Sequence, residues 1–120
     1  MTRENLARIV DELGREYSGA TRLQEGQKTL IRLPEVFFPE GCNPVSTSAL
    51  VVLEEQQAAP QLLLKVVPTL PNGKAPRSVS PVTLAGDSWY SFSFSQPWDE
   101  NAHSAVQFVE GRLRRFALNE

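Results

Sequence analysis

The sequence predicts an α+β domain: a helix, an antiparallel meander of about four or five strands, a proline-rich irregular crossing, and a closing helix. Three observations lead there. Apolar residues recur at helical spacing near both ends of the chain. Short runs rich in Val, Leu and Phe fill the middle, each bounded by Gly, Pro, Asn or a polar cluster. Between the fourth run and the last lies "LPNGKAPRSVSP" (70–81), whose three prolines and one glycine exclude a helix or a central strand.

Over residues 2–18, Leu6, Ile9, Val10, Leu13 and Tyr17 fall on one helical face with Arg, Glu and Asp between them. Thr2 is placed to cap the start, and Gly19 to end the helix in the left-handed conformation. Gly14 inside it costs up to about 1 kcal/mol relative to Ala, so this helix needs tertiary packing.

The strand candidates are "TLIRL", "VFFP", "SALVVL", "QLLLKVV" and "SWYSFSFS". The last alternates, with Tyr90, Phe92 and Phe94 on one face and Trp89, Ser91, Ser93 and Ser95 on the other, which sets the serine face toward solvent or a partner. "QLLLKVV" lacks alternation and reads as a strand covered on both faces, or one leaving the sheet at Pro68. In the closing helix Ala102, Ala105, Val106, Val109, Leu113 and Phe116 form the apolar stripe, with Asp99 or Asn101 as N-cap. Acidic residues precede it and "GRLRR" ends it, as the helix dipole prefers.

At 120 residues the chain fits one domain, which should bury roughly two thirds of its unfolded surface. With 41% hydrophobic and 22% charged residues, neither disorder nor low complexity is indicated. A net charge of −2 offers no general attraction for nucleic acid or anionic lipid. No apolar run reaches membrane-spanning length and "MTRENLAR" is not signal-like, so the expected location is cytoplasmic. One cysteine, Cys42, and one histidine, His103, leave no basis for an internal disulfide or a zinc site, and no cofactor is expected.

Few groups could carry chemistry. Cys42, in "FFPEGCNP", has Glu40 close by and no neighbouring base in sequence, which favours a structural turn cysteine over a thiolate. Ser80 and His103, with Asp99, could make up a hydrolase set, but no nucleophile-elbow motif accompanies them. Lys74 and Arg77 make a small basic loop without the glycine nest of a phosphate site. Trp89 and Trp98 read as core or, on an exposed face, as partner anchors.

The order of elements, with "LPEVFFPEGCNP", "STSALVVLEEQQAAP", "TLPNGKAP" and "WYSFSFSQPW", resembles the ubiquitin-conjugating (E2, or UBC) superfamily and its divergent bacterial E2-like families. The resemblance implies one UBC-like domain over residues 1–120, in which "LPN" at 70–72 stands for the family's "HPN" tripeptide with the histidine replaced. It also places the catalytic cysteine near Ser80, where this chain has only a hydroxyl, and a serine ester is far less labile than the thioester an E2 passes on. The expectation is a non-catalytic adaptor of a bacterial ubiquitin-like modification system whose partners are a ubiquitin-like protein or an E1-like activating enzyme. Contact would run through Asn72, Lys74, Arg77, Ser80, Trp89 and Trp98. The alternatives are an active conjugating enzyme that uses Cys42, and the Ser80–His103 hydrolase.

Overall fold

Helix α1 (Arg3–Glu16) begins where Thr2 Oγ1 accepts the Asn5 amide at 3.1 Å, satisfying one orphan donor of the first turn. The structure, a computed structural model, describes residues 1–92, 98–99 and 103–118. Leu6, Ile9 and Leu13 are buried, while Asp11 and Arg15 pair one turn apart on the outer side. The chain then passes through Gly19, at φ +78°, where a Cβ would stand 3.1 Å from the Pro34 ring. Conformation and space both call for glycine there.

The strands are β1 (Thr21–Glu25), β2 (Lys28–Phe37), β3 (Ser46–Leu53), β4 (Gln61–Leu64), β5 (Val79–Leu84) and β6 (Asp87–Phe92). Among the described residues they form one sheet in the order β1-β2-β3-β4-β6-β5, with every neighbouring pair antiparallel. This is six strands rather than the four or five expected. The strand β1, "TRLQE", is exposed along its length and held by backbone pairing to β2, so it carries no burial alternation. The strand β5 begins inside the stretch read as wholly irregular, and it lies at the sheet edge, where Pro81 can sit without removing an inner ladder bond. "VFFP" is not a separate strand. Its first half is the end of β2, beyond a register shift between Leu33 and Val36 where Pro34 interrupts the ladder.

The sheet has two apolar faces. Ile31, Leu33, Ala49, Val51, Leu53, Leu62 and Leu64 meet the helices in the larger cluster. Leu30, Leu50, Val52 and Leu63 point the other way and are covered by Trp89, with Val82 and Leu84 packed alongside. Two-sided burial explains why β3 and β4 lack a polar alternation, as "QLLLKVV" suggested. A single register pair, Leu64↔Tyr90, joins β6 to β4. From that bridge the β5–β6 hairpin crosses the second face, and the Ala85 amide at its tip donates to Glu25 of β1 at 3.0 Å.

Helix α2 (Ala105–Arg114) continues into a 3-10 turn (Arg115–Leu118). Its cap is Ser104 rather than Asp99 or Asn101. Ser104 Oγ accepts the Gln107 amide at 3.1 Å and Gln107 Oε1 accepts the Ser104 amide at 2.8 Å, a capping box written in the sequence as "SAVQ". The Ala105 amide donates to Glu12 of α1 at 2.7 Å, so the acidic side chain of one helix meets the positive end of the other. Ala105, Val109, Leu113 and Phe116 are buried as expected, and Phe108 joins them. Phe116 meets Phe38 and Phe92 edge to face, with centroids 5.3 and 5.1 Å apart. Asn101, Ala102, Ser93, Phe94 and Ser95, all given roles on sequence grounds, lie outside the described residues.

Candidate functional site

Leu70 is buried and anchors the turn that follows β4. The Gly73 amide donates to the Leu70 carbonyl, and the Leu70 amide to the Lys74 carbonyl, both at 2.8 Å. Asn72 Oδ1 accepts the Lys74 amide at 2.9 Å, an Asx turn that sets the loop from inside. "LPNGK" is therefore an ordered turn, with Asn72 and Lys74 exposed on it and Arg77 exposed three residues further on.

Backbone bonds between Asn43 and Thr69, at 2.9 and 2.6 Å, dock this turn onto the one holding Cys42. At Gly41, φ +95°, a Cβ would come within 3.1 Å of Pro71, so glycine permits the approach. Cys42 itself is 5% exposed and belongs to the helix-covered core. Burial pushes its thiol up, away from the thiolate that nucleophilic chemistry requires. Nearness to the "LPN" turn thus comes without an accessible sulfur.

Of the remaining residues of the expected set, Trp98 and His103 are brought together, but Ser80 and His103 are not hydrogen-bonded. Ser80 lies on edge strand β5 opposite Ser91, whose hydroxyl donates to the Ser80 carbonyl at 3.4 Å. His103 Nδ1 accepts the Asp99 amide at 2.8 Å, and no hydrogen bond joins His103 to Ser80. The contact with Asp99 is thus through the backbone, not the carboxylate orientation a catalytic triad uses. Trp89 is 2% exposed, with its Nε1–H donated to the Leu84 carbonyl at 3.2 Å and Lys65 Nζ 5.2 Å from its ring. It belongs to the core and is not the exposed partner anchor expected, because the hairpin buries it against the second face. Trp98 is half-buried between His103 and Phe108, with ring centroids 5.7 and 5.5 Å away, and packs against the helix-covered core.

Among the described residues three large apolar side chains are exposed, Leu23 at 44%, Phe37 at 64% and Val45 at 70%, and Phe37 was the most legible of them. The signal was in "VFF": Val36 and Phe38 are both buried, so along a pleated chain the residue between them faces outward. A polar recess of about 480 Å³ between α1 and the β3–β4 connection is lined in part by Arg3 and Glu55, which satisfy each other at 2.8 Å.

With this geometry in hand, comparisons with protein-family models, curated proteins and solved structures find no match to this chain. The fold class is an α+β domain with two helices and an antiparallel sheet.

Proposed function

We propose that the chain works by binding rather than catalysis, as an E2-like adaptor in a bacterial ubiquitin-like protein modification system. The observation that carries this is the buried Cys42: the sequence's one thiol is enclosed in apolar surroundings that favour its protonated form. The arrangement of α1 before the β1–β4 meander, with an ordered "LPN" turn after β4, supports the E2-like comparison. The β5–β6 hairpin departs from it, since Ser80 stands in a paired edge strand instead of an irregular catalytic segment. Contact with a ubiquitin-like protein or an E1-like activating enzyme runs through Asn72 and Lys74 on the turn and exposed Arg77 just beyond it. A cytoplasmic setting belongs to the same proposal; among the described residues, no helix is long and apolar enough to cross a membrane.

The test mixes the purified chain with the activating enzyme and ubiquitin-like protein encoded beside its gene. Binding by calorimetry that weakens at least tenfold in a Lys74→Glu, Arg77→Glu double variant, with no adduct on a non-reducing gel, is the expected result. A reductant-sensitive adduct lost in Cys42→Ser, or labelling of Ser80 by a fluorophosphonate probe, overturns it. A gene neighbourhood lacking both proteins does so as well.

A further inference from the structure

A shallow groove runs where the end of α1, the end of β2 and the outer side of α2 come together. It consists of two hollows of about 570 and 260 Å³ that share Phe37, Glu110 and Leu113. Its floor is apolar, and Phe37 presents most of its ring to solvent. Val45, also exposed, lies on the neighbouring backbone, with its carbonyl accepting the Phe38 amide at 2.9 Å.

The charges around the larger hollow have one sign. Glu16, Glu35 and Glu110 line the larger hollow, and no lysine or arginine does. Arg114 stands only at the smaller hollow, 3.9 Å from Glu110, a separation at which an exposed pair contributes little. Glu35 accepts the Ser46 hydroxyl at 2.9 Å, which holds its carboxylate at the rim without neutralising it. The half-buried Tyr17 senses the same field, since burial first, then Glu110 and Glu16, push its hydroxyl up to about 12. Burial and negative surroundings both oppose forming a phenolate, and the same surroundings favour an incoming cation.

We propose that this groove docks a protein segment presenting an aromatic or aliphatic side chain flanked by lysine or arginine. The apolar side chain covers Phe37 and Leu113, while its basic neighbours meet Glu16, Glu35 and Glu110. A symmetric contact with a second copy is disfavoured, because a two-fold interface sets this acidic rim against itself. The docking surface is independent of the adaptor role: it shares no residue with the 70–77 turn, so either can fail alone.

The probe is the peptide acetyl-Lys-Leu-Lys-Phe-Lys-amide, titrated into 15N-labelled protein with acetyl-Glu-Leu-Glu-Phe-Glu-amide as control. The expected result is amide shifts confined to residues 16–18, 35–37 and 110–113 for the lysine peptide alone. Its affinity should fall about fivefold or more in Glu16→Gln, Glu110→Gln and in Phe37→Ser, and fall as salt rises. It should be unchanged in Lys74→Glu, Arg77→Glu. Phe37 and both carboxylates are exposed, so these variants leave the core intact. No groove shifts at millimolar peptide, equal binding of both peptides, or a dimer in sedimentation that Phe37→Ser dissolves would each overturn the proposal.

Discussion

On one face of the sheet α1 and α2 lay Ile9, Leu13, Phe108 and Val109 over β2, β3 and β4, and the resulting cluster extends to Phe38 and Phe116. On the other face there is no helix among the described residues, and a hairpin joined to β4 by one register pair covers Leu30, Leu50 and Leu63 with a tryptophan. The first face draws on two helices with their own caps and i to i+4 pairs. The second relies on the reach of one ring and a few peripheral bonds. The two covers should therefore fail separately, the hairpin before the helices.

The most severe disruption is expected from Phe116→Ala, which removes the ring that Phe38 and Phe92 both edge against. The loss is about 3–5 kcal/mol in urea unfolding, with the whole fold destabilised as one unit. On the other face, Trp89→Phe keeps an aromatic plug but loses the bond to Leu84 and some volume. About 1–2 kcal/mol is expected. The sharper readout is amide exchange: protection should fall in β5 and β6 while α1 and the middle of β3 keep theirs. Equal loss throughout would show the two faces to be one cooperative layer.

The smallest effect concerns pH. The bond from Lys65, assisted by the Ser88 amide, holds the Asp87 carboxyl below its ordinary range. A depressed folded value means stabilisation that is present above the unfolded value, about 3.9, and lost as pH falls through the folded one. Asp87 is exposed, so the contribution is slight. Carboxyl NMR should place its midpoint below the free-aspartate value, and Lys65→Met should raise it part of the way back, the Ser88 amide remaining; a midpoint unaffected by Lys65→Met removes the pairing.

The helix-covered face was the legible one. Leu6, Ile9 and Leu13, and Ala105, Val109 and Leu113, bury at the spacing a helix imposes, and Thr2 caps as its side chain dictates. The second face was obscure because its cover comes from a non-local fold-over. Nothing in "SPVTLAGDSWYS" tells that Trp89 lands on Leu30 and Leu63, residues far away in sequence. The strand β1 escaped notice for the opposite reason, since backbone pairing holds it and burial leaves no mark on its side chains. At the candidate site the irregular path of "LPNGK" followed from its Pro and Gly, though not the Asx turn that orders it. The enclosure of Cys42 did not, because it depends on the docking of Asn43 against Thr69.

The bond from the Ala85 amide to Glu25 brings the tip of the last hairpin back to the first strand. Open sheets invite neighbouring chains to add strands at unpaired rims, the route to ordered aggregates. Here one rim carries Pro81, which lacks a backbone donor, and the tip of its hairpin is fastened by one side-chain bond to the opposite rim. Removing that carboxylate, as in Glu25→Ala, should therefore free the hairpin tip and make strand addition at high concentration easier.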